Sequence, residues 1–336
     1  MRAAAWNDSN TLDILDLPRP VPAAGEVLVR VTRAGICGSD LHFYRGQFRG
    51  IPGMVPGHEI AGVVESGDGF APGTPVAILP TLPCGACPAC LRGQTPVCPG
   101  LTMLGISRPG GLQEFLAVPA VNVFPLPPAA PPALGSLAEP LAVAVRALNR
   151  AGLKPGARIL VLGAGPIGLV TALLAADTAA EVAITARYPH QHLLALALGA
   201  NSVHVPGSPE LRAWARSNPI DVVIETVGGN ADTLAEAVSI VRPGGTVVAL
   251  GLFTADVPIS ARKLVNQEVR LIGSVLYGHE SGRSEFGDAV ASLERHAGAL
   301  ASLQTHSFPL EEVNEAFAHA ANKRMGAIKV SIEVSP

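Results

Sequence analysis

The run Arg158-Ile-Leu-Val-Leu-Gly163-Ala-Gly165-Pro166-Ile167-Gly168-Leu-Val decides the fold of this chain. A short apolar strand candidate leads directly into G-x-G-x-x-G, and an apolar helical stretch follows. In this arrangement the first glycine makes a tight turn and the second lets the backbone approach a pyrophosphate. The third lets the helix pack closely on the strand, and the helix N-terminus faces the anion. The alternative is a glycine-rich turn without a ligand, but the strand–turn–helix context favours a dinucleotide site.

The sequence around this run alternates between apolar strand candidates and helical stretches rich in Ala and Leu, which predicts a doubly wound parallel sheet of the Rossmann type. The strand candidates are residues 159–162, 182–185, 203–205, 222–225, 247–250 and 271–274. The apolar stretch 159–176 is long enough to resemble a membrane span. Its three glycines and one proline are better explained by a buried strand, turn and helix, so we expect no membrane partner.

The flanking regions have a different, β-rich pattern. Residues 26–33, 59–65 and 112–118 alternate apolar and polar side chains between Pro/Gly clusters, as half-buried strands do. The proline-dense stretch 125–132 indicates a surface connection, and a helix is predicted over 137–150. After residue 276 the pattern predicts helices over 284–296 and 310–321 and a final strand over 327–334.

Composition excludes several classes of protein. The 336 residues are 48% hydrophobic and 15% charged, with a net charge of −3, which is typical of a globular protein. The sequence has no stripe of basic residues that would indicate nucleic acid as a partner. No secretory apolar segment follows the N-terminus, so we expect a reducing, cytoplasmic location, where clustered cysteines indicate metal ligands before disulfides.

Four of the five cysteines lie in one short segment, Cys84-Gly-Ala-Cys87-Pro-Ala-Cys90 followed by Cys98. Four thiolates at this spacing suit a closed tetrahedral Zn²⁺ site of structural type. Two disulfides or an iron–sulfur cluster are the alternatives. A zinc ribbon that binds nucleic acid without catalysis is a further reading, which the acidic net charge disfavours.

The fifth cysteine, Cys37, and His58 suggest a second and different metal site. One thiolate and one imidazole begin an open zinc site, which a carboxylate and a water or substrate complete. Taken separately, Cys37 also suits a buried small apolar residue and His58 a hydrogen-bonded core histidine.

The segment after the second strand of the Rossmann unit bears on the choice of cofactor. An acidic residue is expected about 20 residues after the glycine run to bind the adenosine ribose, but Ala186 occupies that place and Arg187 follows. The missing carboxylate removes repulsion against a 2′-phosphate, and a guanidinium pairs well with one. This favours NADP(H) over NAD(H). Alternatively, Arg187 is a solvated surface charge.

The order of these motifs resembles zinc-containing medium-chain alcohol dehydrogenases over essentially the whole chain. The resemblance is carried by residues 35–42, 57–59, the four-cysteine segment, Glu139-Pro140 and residues 163–168. Glu139-Pro140 is most similar to the sorbitol and threonine dehydrogenase branch, where Glu replaces a cysteine ligand. The resemblance implies a GroES-like β-rich catalytic domain (1–142 and 277–336, with a structural-zinc lobe at about 80–100) and an inserted Rossmann domain (143–276).

The resemblance also implies roles for individual residues. Cys37 and His58 correspond to catalytic zinc ligands, with Glu59 or Glu139 supplying the carboxylate. Their neighbours would move the proton: Ser39 takes it from the substrate, His42 passes it to solvent, and Asp40 orients the ligating histidine. The cofactor segment would be Gly163, Gly165, Pro166, Ile167, Gly168, Ala186 and Arg187.

The resemblance therefore implies an oxidoreductase with two zinc ions per chain that forms a homodimer or homotetramer. It transfers hydride between NADP(H) and a small alcohol or carbonyl substrate, such as a secondary alcohol, polyol or cyclitol. Threonine dehydrogenase-like oxidation of an amino alcohol with NAD is the alternative. Zinc-free quinone reduction on the same fold needs neither Cys37 nor His58. Phe43 departs from the tyrosine usual in sorbitol dehydrogenases, which weakens a sorbitol assignment.

Overall fold

The structure is a computed structural model that describes residues 1–179, 181–280 and 282–335. The chain forms two compact units. The first comprises Met1–Ala142 and Ser281–Pro336, and the second is the intervening segment Val143–Glu280. Residues 277–280, expected in the first domain, lie in the second unit.

The strands are short and are distributed along the whole chain. They are β1 (Arg2–Trp6), β2 (Leu12–Asp16), β3 (Glu26–Gly35), β4 (Glu59–Ser66), β5 (Pro75–Ile78), β6 (Thr81–Leu82), β7 (Thr102–Met103), β8 (Phe115–Pro119), β9 (Val123–Pro125), β10 (Arg158–Leu162), β11 (Glu181–Thr185), β12 (Ser202–His204), β13 (Val222–Glu225), β14 (Thr246–Ala249), β15 (Arg270–Gly273), β16 (His279–Glu280), β17 (Arg283–Ser284), β18 (Gln304–Pro309) and β19 (Lys329–Glu333).

The α-helices are α1 (Gly38–Tyr44), α2 (Pro88–Leu91), α3 (Ala138–Ala151), α4 (Pro166–Ala176), α5 (Pro189–Ala197), α6 (Pro209–Ser217), α7 (Thr233–Ile240), α8 (Ala261–Asn266), α9 (Glu285–Arg295), α10 (Ala297–Ala301) and α11 (Val313–Ala321). Short 3₁₀ turns are formed by Thr95–Val97, Ala120–Asn122, Pro132–Leu137, Leu310–Glu312 and Lys323–Met325. In the part of the chain that the structure describes, none of the helices combines the length and apolar character needed to cross a membrane.

The first unit is built on a mixed sheet with the order β18-β19-β3-β4-β5-β9, and β8 also pairs with β3. Alternate residues of β3, such as Val27, Val29 and Val31, are fully buried in its core, as the predicted alternation requires. Strand β19 comes from the C-terminal end of the chain, yet it lies between β18 and β3. This crossing brings the last strand beside the segments that carry Cys37 and His58.

Two predicted boundaries in this unit are wrong. The strand predicted from residue 112 begins at Phe115, because Leu112 bonds to loop and edge partners instead: its N–H donates to Pro56 O and its carbonyl accepts from Ala4 N. The helix predicted from residue 310 begins with a 3₁₀ turn, and α11 starts at Val313.

The second unit contains a parallel sheet with the order β12-β11-β10-β13-β14-β15. Every strand predicted here is present, with its ends displaced by at most one residue. The chain runs outward from β10 to β12 and then crosses back to β13. The order therefore reverses between β10 and β13, and ligands of such sheets bind at the carboxyl ends of the strands at that point.

Candidate active site and metal centres

The four-cysteine segment forms a compact cluster of sulfur atoms. The Sγ of Cys98 lies 3.5 Å from that of Cys84 and 3.8 Å from that of Cys87, and Cys84 and Cys90 are 4.0 Å apart. Four thiolates at about 2.3 Å from one zinc ion would be separated by about 3.8 Å. A disulfide needs about 2.05 Å, and all the cysteines are free. The separations match a zinc site and exclude the disulfide alternative.

Local backbone geometry gives these thiols unequal acidity. Backbone N–H groups of Ala86 and Cys87 lower the pKa of Cys84 to about 6. Desolvation and hydrogen bonds from Cys87 and Cys98 raise the pKa of Cys90 to about 12. The Cys84 thiol therefore ionises readily, while the Cys90 thiol resists ionisation because its desolvation and its hydrogen bonds favour the protonated form. A bound divalent cation removes this conflict, since it stabilises all four thiolates together.

The second cluster lies where β3 ends and β4 begins. The ligand atoms of Cys37, His58 and Glu59 all lie within 4.8 Å of one another, and His58 and Glu59 are buried. The pairing of Gly35 with Glu59 in the β3–β4 ladder sets this geometry. A side chain at Gly35 would overlap the Glu59 carboxylate, so only glycine leaves room for it.

Helix α1 follows Cys37 directly and supplies the next group, Asp40. The Asp40 carboxylate accepts the Cys37 backbone N–H at 2.9 Å and lies 3.6 Å from Nδ1 of His58. That nitrogen is buried without a hydrogen-bond partner among the described residues. With Nδ1 directed at Asp40, the other ring nitrogen of His58 is available to a metal, as in a carboxylate–histidine–metal arrangement.

The charges around His58 are strongly negative. Burial alone lowers the pKa of His58, but Asp40 and Cys37 outweigh it and raise the pKa well above its ordinary value. Burial raises the pKa of Asp40, opposed by the attraction of His58. A site that attracts a proton this strongly also attracts a metal cation. The donor set of thiolate, imidazole and carboxylate is that of an open zinc site.

The two remaining relay candidates on α1 have different surroundings. The Oγ of Ser39 lies 3.4 Å from Nε2 of His58. The Nδ1 of His42 lies 2.5 Å from Oε1 of Gln47, and its ring packs against Phe48 at 5.1 Å between centroids. Ser39 thus faces the metal-ligand cluster, while His42 is anchored by a side chain that the sequence pattern does not identify.

Lys329 is a member of this cluster that the sequence analysis does not anticipate. Its Nζ donates to both Glu59 carboxylate oxygens, at 2.6 and 2.7 Å, and to Ile36 O. Burial lowers the pKa of Lys329, and Glu59 and Cys37 outweigh it and raise it. Glu139, at the start of α3, is also buried, and its charge raises the pKa of both His58 and Lys329. Both candidate carboxylates therefore belong to one charged network.

In the second unit, the glycine run has the geometry its motif requires. Gly163 has φ +105° and its N–H donates to Thr185 Oγ1 at 2.8 Å. A Cβ at Gly168 would overlap the Gly163 carbonyl, so this glycine allows helix and strand to pack closely. A Cβ at Gly165 would meet no described atom within 4 Å. The backbone before Pro166 and Ile167 of α4 is therefore open to a phosphate at the helix N-terminus.

The segment after β11 has the predicted residues in a suitable place. Ala186 is buried, while Arg187 is exposed and its backbone N–H donates to the Gln191 side chain. Among the residues that the structure describes, the Arg187 guanidinium has no hydrogen-bond or ion-pair partner. It is therefore available to an external anion at the strand end.

Glu225 is a buried carboxylate of the second unit that no sequence motif singles out. Its Oε1 accepts hydrogen bonds from Val227 N, Gly228 N and Thr233 Oγ1, and its Oε2 accepts one from Gly251 N. These bonds hold the loops after β13 and β14 together. A Cβ at Gly163 would meet Val227, so the first of these loops lies against the glycine turn.

Comparison with known proteins identifies the class. Residues 23–128 match the alcohol dehydrogenase GroES-like domain, and residues 166–295 match the zinc-binding dehydrogenase domain. The chain belongs to the zinc-containing medium-chain alcohol dehydrogenase family, in its sorbitol and threonine dehydrogenase-like branch. The fold class predicted from the sequence is confirmed.

Its relatives include dehydrogenases of sugar acids. It is 35% identical to L-galactonate-5-dehydrogenase of Escherichia coli K12, over 76% of this chain and 77% of the relative. Identity to 2-dehydro-3-deoxy-L-galactonate 5-dehydrogenase of Pseudoalteromonas atlantica is 32% over 97% of both chains. It is also 36% identical to L-threonine 3-dehydrogenase of Pyrococcus abyssi, over 75% of both chains.

Solved structures with the same fold hold either nicotinamide cofactor. A zinc-binding dehydrogenase from Sinorhizobium meliloti 1021 bound to NADP superposes with a TM-score of 0.91 at 29% identity, over 99% of this chain and 98% of that one. An alcohol dehydrogenase from E. coli CFT073 complexed with NADH has a TM-score of 0.90 at 28% identity, over 99% of both chains. The chain is thus a zinc-dependent alcohol or polyol dehydrogenase by family.

Proposed function

We propose that this enzyme transfers hydride between NADP(H) and a secondary alcohol of the polyol or cyclitol class, with a catalytic and a structural zinc ion in each chain. The observation that carries the proposal is the buried cluster of Cys37, His58 and Glu59 with Ser39 at 3.4 Å from the imidazole. When bound, zinc supplies Lewis acidity that lowers the pKa of the substrate hydroxyl, and the nicotinamide accepts the hydride.

In this proposal the protein side chains hold the metal and move the proton. Cys84, Cys87, Cys90 and Cys98 hold the structural ion. Ser39 accepts the proton of the substrate hydroxyl, which His42 passes to solvent, and Asp40 fixes the orientation of the His58 ring. The place of Ser39 in the first turn of α1, with its Oγ 3.4 Å from Nε2 of His58, supports this division of roles.

Glu139 and Glu59 share the carboxylate role at the catalytic zinc. Cys37 as thiolate and neutral His58 leave the ion with one positive charge, which a carboxylate neutralises. Glu59 is bonded through both oxygens to Lys329, so Glu139 takes the position near the metal when Glu59 remains paired. Glu139→Ala is expected to lose catalytic zinc or activity while keeping the structural zinc. Retention of two zinc ions and full activity would remove Glu139 from the site.

The proposed NADP(H) preference is supported by the buried Ala186 and by the exposed Arg187, whose guanidinium has no hydrogen-bond or ion-pair partner among the described residues. Arg187→Ala is expected to raise the KM for NADPH by about tenfold or more, the loss of one charge-assisted hydrogen bond to a phosphate, with much less effect on NADH. Kinetics with both cofactors measure this directly. A wild-type enzyme that prefers NADH by tenfold would contradict the preference.

Oxidation of an amino alcohol with NAD is a second candidate, favoured by the similarity to L-threonine 3-dehydrogenase. Reduction of NADP⁺ and NAD⁺ should be measured against hexitols, cyclitols, simple secondary alcohols and L-threonine. Turnover of L-threonine with NAD⁺ and none of polyols would establish the second candidate. Zinc analysis of protein purified without chelators should give two ions per chain.

A further inference from the structure

Two basic side chains lie near the Cys37 cluster without belonging to it. Arg45 follows the last residue of α1, and its Nη2 donates to the carbonyl of Ala321 at the end of α11, at 3.1 Å. Lys323 begins the 3₁₀ turn that comes next in the chain. This bond places the Arg45 guanidinium at the end of α11, two residues before Lys323 in the chain, and α1 also carries Ser39.

Lys323 has the electrostatics of a cation without a counter-ion. Burial, together with the charges of Lys329 and Arg45, lowers the pKa of Lys323 to about 8, while Cys37 opposes the shift. Lys323 is thus close enough to Lys329, Arg45 and Cys37 for their charges to act on it. Lys329 is committed to Glu59, whereas Lys323 has no hydrogen bond or ion pair with any part of the chain that the structure describes.

Lys263, another half-buried lysine, is a useful comparison because its ammonium group has a structural role. Burial also lowers the pKa of Lys263, but its Nζ donates to the carbonyls of Ser239 and Val241. Those hydrogen bonds compensate the Lys263 ammonium for its lost hydration. Lys323 has no such bonds to the described residues. A desolvated cation without partners costs stability, and such costs are typical of groups that await a ligand.

We propose that Lys323, assisted by Arg45, binds an anionic group of the substrate. This deepens the proposed function and rests on it: the substrate is a polyhydroxy acid whose carboxylate pairs with Lys323 while a secondary hydroxyl lies at the Cys37–His58 cluster. A carboxylate supplies the acceptor that this ammonium lacks. The relatives named for L-galactonate and 2-dehydro-3-deoxy-L-galactonate act on acids of this class.

Matched pairs of substrates test the proposal. The wild-type enzyme is assayed with several hexonates and their hexitols, for example L-galactonate against galactitol, and with a hexitol phosphate. A preference for one hexonate over its hexitol by about tenfold or more in kcat/KM is expected, the value of a hydrogen bond to a charged group. Preference for the hexitol phosphate would identify a phosphate as the anion instead of a carboxylate and overturn the substrate class.

Variants then assign the preference to Lys323. Lys323→Met is expected to lower kcat/KM for the hexonate by about 10- to 100-fold and to leave the hexitol within about twofold. Arg324→Met, at the exposed neighbouring position, should change neither. The Tm of Lys323→Met should be unchanged or higher, and Lys323→Arg should keep the preference.

The outcomes separate this inference from the proposed function. Equal losses of hexonate and hexitol activity in Lys323→Met, or no loss with the hexonate, would overturn the role of Lys323. Turnover of neutral alcohols in preference to every hexonate would overturn the substrate class and leave the dehydrogenase assignment intact. Failure to oxidise any alcohol with two zinc ions bound would instead overturn the proposed function.

Discussion

The two sulfur-containing clusters of the first unit are built in opposite ways. The four-cysteine lobe brings its ligands together within one short loop, and Cys84 at its edge is exposed. In the cluster of Cys37, His58 and Glu59, the cysteine is half-buried and the other two are buried, and the ion-pair partner of Glu59, Lys329, lies 270 residues further along the chain. The lobe is a set of four identical donor atoms, whereas the second cluster combines a thiol, an imidazole and a carboxylate.

This difference lies in how charge is balanced. Among the described residues, no cation is paired with the sulfur atoms of the lobe, so the proposed structural zinc would balance the thiolates and stabilise the local fold. In the buried cluster Lys329 neutralises Glu59, and Asp40 faces His58. A site that must accept a substrate at its metal therefore carries its own counter-charges, while a purely structural site leaves that task to the ion.

The largest effect is expected on thermal stability when a ligand of the four-cysteine lobe is replaced. Cys90→Ser should lose the structural zinc and lower the Tm by about 10 °C or more, since zinc binding in such sites contributes folding free energy of several kcal/mol. Cys37→Ser should lose the other zinc and the activity with a much smaller change in Tm. Zinc content and thermal denaturation measure both. If Cys37→Ser lowered the Tm as much as Cys90→Ser does, the two clusters would not be separable into a structural and a catalytic site.

The next effect concerns chemistry at the buried cluster. Ser39→Ala should lower kcat by about 10²–10⁴-fold, the usual contribution of a positioned proton acceptor, with the zinc content unchanged. His42→Ala should have a smaller effect, because water can replace the outer group. Steady-state and single-turnover rates check this. Unchanged turnover in Ser39→Ala, with chemistry rate-limiting, would exclude the relay.

The next prediction concerns Lys329, the counter-charge of Glu59 in the second cluster. Lys329→Met should lower the free energy of unfolding by about 3–5 kcal/mol, because it leaves Glu59 buried without its partner, and Lys329→Arg should recover part of that loss. Arg92→Met, at an exposed residue beside the lobe, is the matched control and should have little effect. Denaturant unfolding measures all three. Equal stability of Lys329→Met and wild type would mean that the pair does not support the site.

The smallest expected effect is a pH dependence. Because the pKa of Lys323 is lowered to about 8, the lysine loses its charge as the pH rises through that value. The ratio of kcat/KM for a hexonate to that for its hexitol should therefore fall severalfold between pH 7 and 9. The positive charge of a bound zinc ion would move the midpoint lower without reversing the sign. The ratio should stay constant in Lys323→Arg, and a ratio independent of pH in the wild type would contradict the proposed contact.

The features that can be predicted correctly from the sequence are those set by residues close together in the chain. The strands of the second unit and the roles of its three glycines follow from local periodicity and from steric limits that act within one strand–turn–helix segment. The spacing of the cysteines likewise determines the lobe. Local alternation can also mislead: the pattern of residues 112–118 predicts Leu112 in a strand, but the hydrogen bonds of its backbone go to Pro56 and Ala4.

Contacts between distant segments were not predictable in this way. Lys329 interrupts an apolar strand, which was the one available signal, but only the placement of β19 beside β3 reveals Glu59 as its partner. Glu225 looks like any strand-end acid until Thr233 and Gly251 converge on it. Gln47 beside His42 carries no recognisable pattern. The partners of Lys329 and Glu225 are fixed by tertiary packing, whereas Gln47 lies only five residues after His42 and is missed because no motif marks it.

The position of β19 sets an order of events during synthesis. The thiols of the lobe are 14 residues apart at most, so zinc can bind there once Cys98 has left the ribosome. The ion pair of Glu59 must wait for Lys329, which at about 5–20 residues per second is made about 10–50 s later. In the proposed two-zinc enzyme, the nascent chain would hold its first metal during that interval, while the cluster of Cys37, His58 and Glu59 would still lack β19. Metal loading would thereby be ordered in time, with the structural ion bound first and the catalytic site assembled last.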